Sequence, residues 1–249
     1  MLSPRARTAV LLLLAAVMAG ALLFRGRIPQ DPAYHLFADT RPLAGIANFG
    51  DVLSNLPFLL VGLYGMSRRR RLAQPECLSA YTALCLGVLL VSAGSAYYHL
   101  DPTTATLLWD RLPMTVAFMA LFSMLLEERV VKGARTLWPL LAAGIGSAVY
   151  WYWTETRGAG DLRPYALVQF LPIVLIPVIL ALYPRRYLRG SWLTGALLFY
   201  LGAKLCESGD RQIFAALGAL SGHTIKHLLA GAATFCIIKA VPSKEDAVC

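Results

Sequence analysis

Apolar runs long enough to cross a bilayer recur along the whole chain, beginning with "AVLLLLAAVMAGALLF", and no other feature restricts the possible folds so severely. A helix needs about 20 such residues to traverse about 30 Å of hydrocarbon, where every backbone polar group has to be satisfied inside the segment. Eight stretches qualify, over residues 8–24, 48–66, 78–99, 106–126, 137–153, 165–183, 191–206 and 222–240. Composition agrees: 57% of the 249 residues are hydrophobic, 15% are charged, and mean hydropathy is +0.59, which excludes an ordinary soluble domain. Membrane β-strands are excluded too, because they alternate over roughly ten residues and these runs are continuously apolar. The predicted fold class is an all-α polytopic membrane protein, a seven-transmembrane-helix bundle plus one additional N-terminal hydrophobic helix.

The formal charge of +9 raises nucleic acid as a partner, and the positions of the basic residues argue against it. Alternate connections carry Arg5 and Arg7; Arg68 to Arg71; Arg129, Lys132 and Arg135; Arg185, Arg186 and Arg189; Lys239 and Lys244, fourteen in all. The other connections carry six, namely Arg25, Arg27, Arg41, Arg157, Arg163 and Arg211. This positive-inside bias predicts an integral, multi-pass protein with both termini cytoplasmic. No nucleic acid and no obligate protein partner are implied.

Arg5 and Arg7 before a short Leu/Ala run also describe a signal peptide, but Arg25 and Arg27 directly after it fit a cleavage site poorly. The expected organisation is an N-terminal signal-anchor helix over residues 1–27, with a cleaved signal as the alternative, and a membrane domain over 28–249. Cys77, Cys85, Cys206, Cys236 and Cys249 show no paired spacing and read as apolar filler.

The informative residues are the polar groups at membrane depth, and they cluster. In "SAGSAYYHLDPTTATLLWDRLP", Ser95 and His99 are four apart near the end of one helix, Pro102 helps stop that helix, and Asp110 falls near the start of the next. "SGHTIKHLLAG" repeats the spacing with His223 and His227. The charge-based orientation, drawn without reference to histidines, puts all three imidazoles near the extracytoplasmic leaflet. Three histidines with an open fourth position suit Zn2+ acting on water. Asp110 is then a candidate base and Ser95 a candidate oxyanion donor, the constellation of a hydrolase.

Other readings compete at each position. A lone histidine in an apolar helix is more often a hydrogen-bonded packing residue, and an i, i+4 pair can contact lipid headgroups. Asp110 can pair with Arg111 or cap its helix, and Ser95 can bond the preceding turn. His35 has no visible partner and stays unassigned. Lys204, Glu207, Asp210 and Arg211 suggest a structural charge network. Pro164, Pro172 and Pro177 predict a kink in the 165–183 helix.

At these residues the sequence resembles the alkaline ceramidases, within the superfamily that also holds the adiponectin and progestin receptors and the Per1-like proteins. Ser95, His99, Asp110, His223 and His227 match the shared pattern position by position, and "NFGDVLSNLPFLLVGLYG" resembles the first core helix, with Ser54 and Asn55 as its Ser-Asn pair. The resemblance implies a seven-helix bundle with zinc on His99, His223 and His227, Asp110 contacting the catalytic water, and Ser95 near the scissile carbonyl. The implied reaction is hydrolysis of a ceramide-like N-acyl membrane lipid to a sphingoid base and a fatty acid. Two departures stand out. "HLFADTRPLAGIAN" retains little of the acidic calcium-binding segment of the eukaryotic enzymes, and Thr224, Ile225 and Lys226 stand where aromatic residues are often found. The alternative from another class is a lipid-binding sensor of the adiponectin-receptor type with a structural zinc site.

Overall fold

The computed structural model describes residues 2–133 and 135–245, so Cys249 lies outside it. It contains ten α-helices among the described residues: α1 (Pro4–Phe24), α2 (Phe49–Leu53), α3 (Leu56–Arg68), α4 (Leu78–Leu100), α5 (Thr104–Arg129), α6 (Leu137–Glu155), α7 (Arg163–Leu182), α8 (Gly190–Ser208), α9 (Asp210–Leu217) and α10 (Gly222–Ala240). Each of the eight apolar stretches is helical. Five spans are long and apolar enough to cross a membrane by themselves, namely α1, the α2–α3 pair, α4, α5 and α7. The α9–α10 pair makes a sixth if counted as one span broken by a bend of 107°.

Two boundaries differ from the sequence reading. The stretch over 48–66 is interrupted at Ser54 and Asn55, where Asn55 Nδ2 donates to the Asp51 carbonyl. The residues before the last span form α9, which Gly218 ends in a left-handed conformation at φ 67°. Pro164 starts α7, and Pro172 and Pro177 lie within it without ending it.

The chain runs up and down between two ends. At one end Lys244 N donates to the Arg71 carbonyl, Arg189 N to Ala240, and Arg129 Nη1 to Tyr183, while Arg7 lies over the Tyr183 ring. The basic connections and both ends of the described chain therefore gather there. At the other end Leu162 N donates to Ile28 O and Gln30 N to Glu155 Oε2, which folds the 25–48 segment over the bundle mouth.

Lipid tails are as apolar as leucine, so helix association here rests on close packing rather than on escape from water. The main pairs are α4 with α5, α8 with α10, α3 with α4, and α5 with α6, while α1 lies on α7. Leu11 of α1 is buried in a cluster with Phe122, Leu175 and Ile179. Large apolar side chains such as Leu13 (65% exposed), Trp138 (70%) and Leu205 (74%) cover the outside, as a lipid-facing surface requires. Two glycines set the approach of the helices that carry the site. A Cβ on Gly94 of α4 would run into the Trp109 carbonyl of α5, and one on Gly222 would collide with Cys206 O and the Asp210 backbone.

Candidate metal and catalytic site

Ser95 and His99 project from one face of α4, a turn apart, and His223 and His227 do the same on α10. The fold brings the two faces together away from the basic end. Ring centroids lie 4.8 Å apart for His99–His223, 4.9 Å for His99–His227 and 4.8 Å for His223–His227. One nitrogen from each ring falls within 4.8 Å of the others, and all three residues are buried.

The neighbours fix which nitrogens face inward. Ser54 Oγ donates to the Asp51 carbonyl at 3.0 Å and meets His227 Nδ1 at 2.8 Å, so Nδ1 carries the proton and Nε2 keeps its lone pair for the cluster. His99 Nε2 lies 3.3 Å from His223 Nε2. That separation is the edge of a tetrahedron, since ligand bonds of about 2.0–2.1 Å place donors about 3.3–3.4 Å apart. The donor set and its burial could hold a metal ion. Phe37 closes the outer side, its ring 4.7 Å from His99 and 4.5 Å from His223.

The backbone under these rings is held by Asn48, Asp51 and Asp210, of which the sequence reading placed only Asp210, and in a different role, the charge network with Lys204 and Glu207. Asn48, in the left-handed region at φ 45° that asparagine tolerates better than most residues, donates Nδ2 to the His99 carbonyl at 2.7 Å. Asp210 accepts from His223 N at 2.8 Å and from Ala38 N at 2.9 Å, tying α10 to the segment that carries Phe37. Asp51 accepts from Thr224 Oγ1 at 2.7 Å and from Ser221 Oγ at 3.3 Å, locking the first turn of α10.

Ser95, Asp110 and His227 line one cavity of about 520 Å³. Its deeper walls are apolar, formed by residues such as Val88, Leu121, Ile173, Ile176 and Leu193, and they run between α7 and α8. Ser95 and Asp110 interact across this cavity. The competing roles of Asp110 do not hold: Thr103 caps α5 through a capping box with Thr106, and Arg111 Nη2 donates to Gln30 Oε1 at 2.8 Å.

The charge network exists in part. Glu207 binds Lys204 and, at 2.8 Å, Lys226, whose Nζ also lies 3.4 Å from His223 Nε2. Asp210 does not join it and holds α10 as described. His35 stays apart from the cluster, with Nδ1 2.9 Å from Tyr98 Oη and Nε2 3.3 Å from Thr104 Oγ1. Burial and the Arg111 charge push its pKa below the usual 6.5.

Residues 43–243 match the family model described as Ceramidase. The chain belongs to the ceramidase family. The match spans every residue of the cluster, from Asn48 and Ser54 through His99 and Asp110 to His227, and leaves α1 outside. A comparison with curated proteins gives no match.

Proposed function

We propose that this protein is a zinc-dependent intramembrane amidase that cleaves ceramide-like N-acyl lipids into a sphingoid base and a fatty acid. The observation that carries the reading is the convergence of three imidazole nitrogens, one of them from His227, which lines a largely apolar cavity together with Ser95 and Asp110. Family membership supports amide hydrolysis as the reaction.

His99, His223 and His227 would hold the ion. Bound there, zinc supplies Lewis acidity toward the amide carbonyl and lowers the pKa of water toward neutrality. The acyl chain lies in the apolar cavity, with its amide beside Asp110. Asp110 accepts a proton from the attacking water as the water oxygen bonds to the carbonyl carbon. Ser95 donates to the carbonyl oxygen as negative charge develops there. Asp110 then returns the proton to nitrogen while the C–N bond breaks, releasing an amine and a carboxylic acid. Phe37 and the segment around it restrict bulk water from the mouth.

The same reading treats the bundle as seven spans plus α1, with the basic end cytoplasmic, the metal site near the opposite leaflet, and residues 1–27 retained as an anchor. Packing of Leu11 against α7 supports the last point. Purified protein should contain about one zinc per chain and release fatty acid from ceramides of several chain lengths. His223→Ala should lose both metal and turnover. Stoichiometric zinc without hydrolysis of any lipid amide would replace this reading with the sensor one.

A further inference from the structure

Arg111 is an unusual charge to find at this depth. Its residue is 5% exposed, and its guanidinium carbon sits 4.0 Å from the centre of the Trp151 ring, 4.7 Å from Tyr165 and 5.5 Å from Tyr34. Nη2 donates to Gln30 Oε1, while Nη1 is buried with no hydrogen-bond partner. A buried charge is costly unless it is paired, and three aromatic faces with one amide compensate only part of that cost.

The carboxylates of the cavity are engaged elsewhere. Glu207 takes both Lys204 and Lys226, Asp31 caps its own turn at Ala33 N at 2.9 Å, and Asp110 interacts with Ser95. Asp110 interacts with Arg111 electrostatically, but no ion pair joins Arg111 to a carboxylate among the described residues. Arg111 lines the same cavity as Ser95 and Asp110. The Tyr200 hydroxyl, another lining group, is likewise buried without a partner.

We infer that Arg111 Nη1, with its guanidinium clamped between Trp151, Tyr165 and Tyr34, is the recognition element of an oxyanion subsite that selects lipid amides with an acidic headgroup. This rests on the amidase reading for the identity of the substrate, and it adds to that reading a preference, among ceramide-like N-acyl lipids, for those whose headgroup carries a carboxylate or a phosphate. The planar fork presents two parallel N–H directions to such a group, which an ammonium cannot do. The rings set its plane in advance, so little conformational freedom is lost on binding. Headgroup and amide are then read by adjacent residues, Arg111 and Asp110, on one turn of α5.

Binding to the purified full-length chain tests this with two pairs, each of an acidic lipid amide and a neutral counterpart. N-dodecanoylglycine is compared with N-dodecanoylglycinamide, and the phosphate ester of N-dodecanoylethanolamine with N-dodecanoylethanolamine itself. The acidic member of at least one pair should bind about 10-fold or more tighter, the range expected for a charge-assisted hydrogen bond, and the pair that does so identifies the headgroup. Arg111→Gln should reduce the ratio to about unity, and Arg111→Lys should restore only part of it. Equal binding within both wild-type pairs overturns the inference even if neither variant folds. So does a preference that survives Arg111→Gln but vanishes when zinc is chelated, because the anion then sits on the histidine cluster. Selective binding without hydrolysis of any lipid amide would remove the amidase reading and leave the subsite standing.

Discussion

At the basic end of the bundle, the fully buried Glu128 accepts from the backbone N–H groups of Arg186, Tyr187 and Leu188 at 2.7, 2.9 and 3.2 Å, and from Arg129 Nε at 2.7 Å. At the opposite end, Asp51 Oδ2, Asn55 Oδ1, His99 Nδ1, Arg111 Nη1, Trp151 Nε1 and Tyr200 Oη are all buried without a partner. Both ends bury polar groups, so burial by itself does not mark function. The difference lies in closure. Where charge only has to hold α5 against the α7–α8 connection, its hydrogen-bonding capacity is used. At the end that carries the histidines, capacity is left open among the described residues, at a cost that structure alone gives no reason to bear.

Asp110→Asn should produce the largest break in this contrast. It keeps the shape of the side chain and removes its ability to take a proton, so turnover should fall by about 10² to 10⁴ while zinc content and melting temperature stay close to wild type. Loss of zinc in step with turnover would make Asp110 a ligand rather than a base.

Glu128→Gln should show the reverse profile. It leaves the Arg129 guanidinium buried beside a neutral amide, a change of about 3–5 kcal/mol in stability, read as a lower unfolding midpoint in detergent. Zinc bound per folded chain and turnover per bound zinc should not change. A variant that stays stable but loses activity would mean the two ends are coupled.

How much of this the sequence disclosed depends on the range of each interaction. The apolar runs located every long helix, because a membrane imposes length and hydrophobicity on one continuous segment. Ser95/His99 and His223/His227 were visible because four residues is about one helical turn. Nothing in those spacings says that α4 and α10 meet; that came from the resemblance. Asp51 to Thr224, Asn48 to His99 and Asp210 to Ala38 join distant parts of the chain, and no local pattern announces them. The break at Ser54 lies inside an otherwise apolar stretch, whereas Gly209 and Gly218 around "DRQIFAAL" are punctuation that would have found α9. Lys226 was visible only as a residue out of place between two histidines, and its pairing with Glu207 needed the fold.

Ser54→Ala should have a smaller effect, because it removes no metal ligand and no reacting group. The Ser54 hydroxyl meets His227 Nδ1 at 2.8 Å, and without it the ring is held less firmly in tautomer and orientation. Zinc affinity should drop by about 10- to 100-fold, with turnover recovering at saturating zinc. A proportional loss that zinc cannot rescue would place Ser54 in contact with substrate.

The smallest effect concerns charge at the rim of the open end, where Asp39 and Arg41 are closed on each other. Arg41 Nε and Nη2 each reach an Asp39 oxygen at 2.8 Å, and its guanidinium also bonds the carbonyls of Gly218 and Ala219, fastening the segment that carries Phe37 to the α9–α10 turn. Hydrogen bonding to Arg41 holds the Asp39 carboxyl below its usual 3.8. The unfolded chain therefore takes up this proton first as pH falls, so the clamp contributes fully above about pH 4 and its contribution fades below. Arg41 is 56% exposed, so solvent screens the pair and the slope should be shallow. In a titration of the unfolding midpoint between pH 6 and pH 3, Asp39→Asn should start slightly lower and converge with wild type in acid. Curves that stay parallel throughout would show that the clamp is ornamental to stability, and that Phe37 is held over the histidines by Asp210 and Ala38 alone.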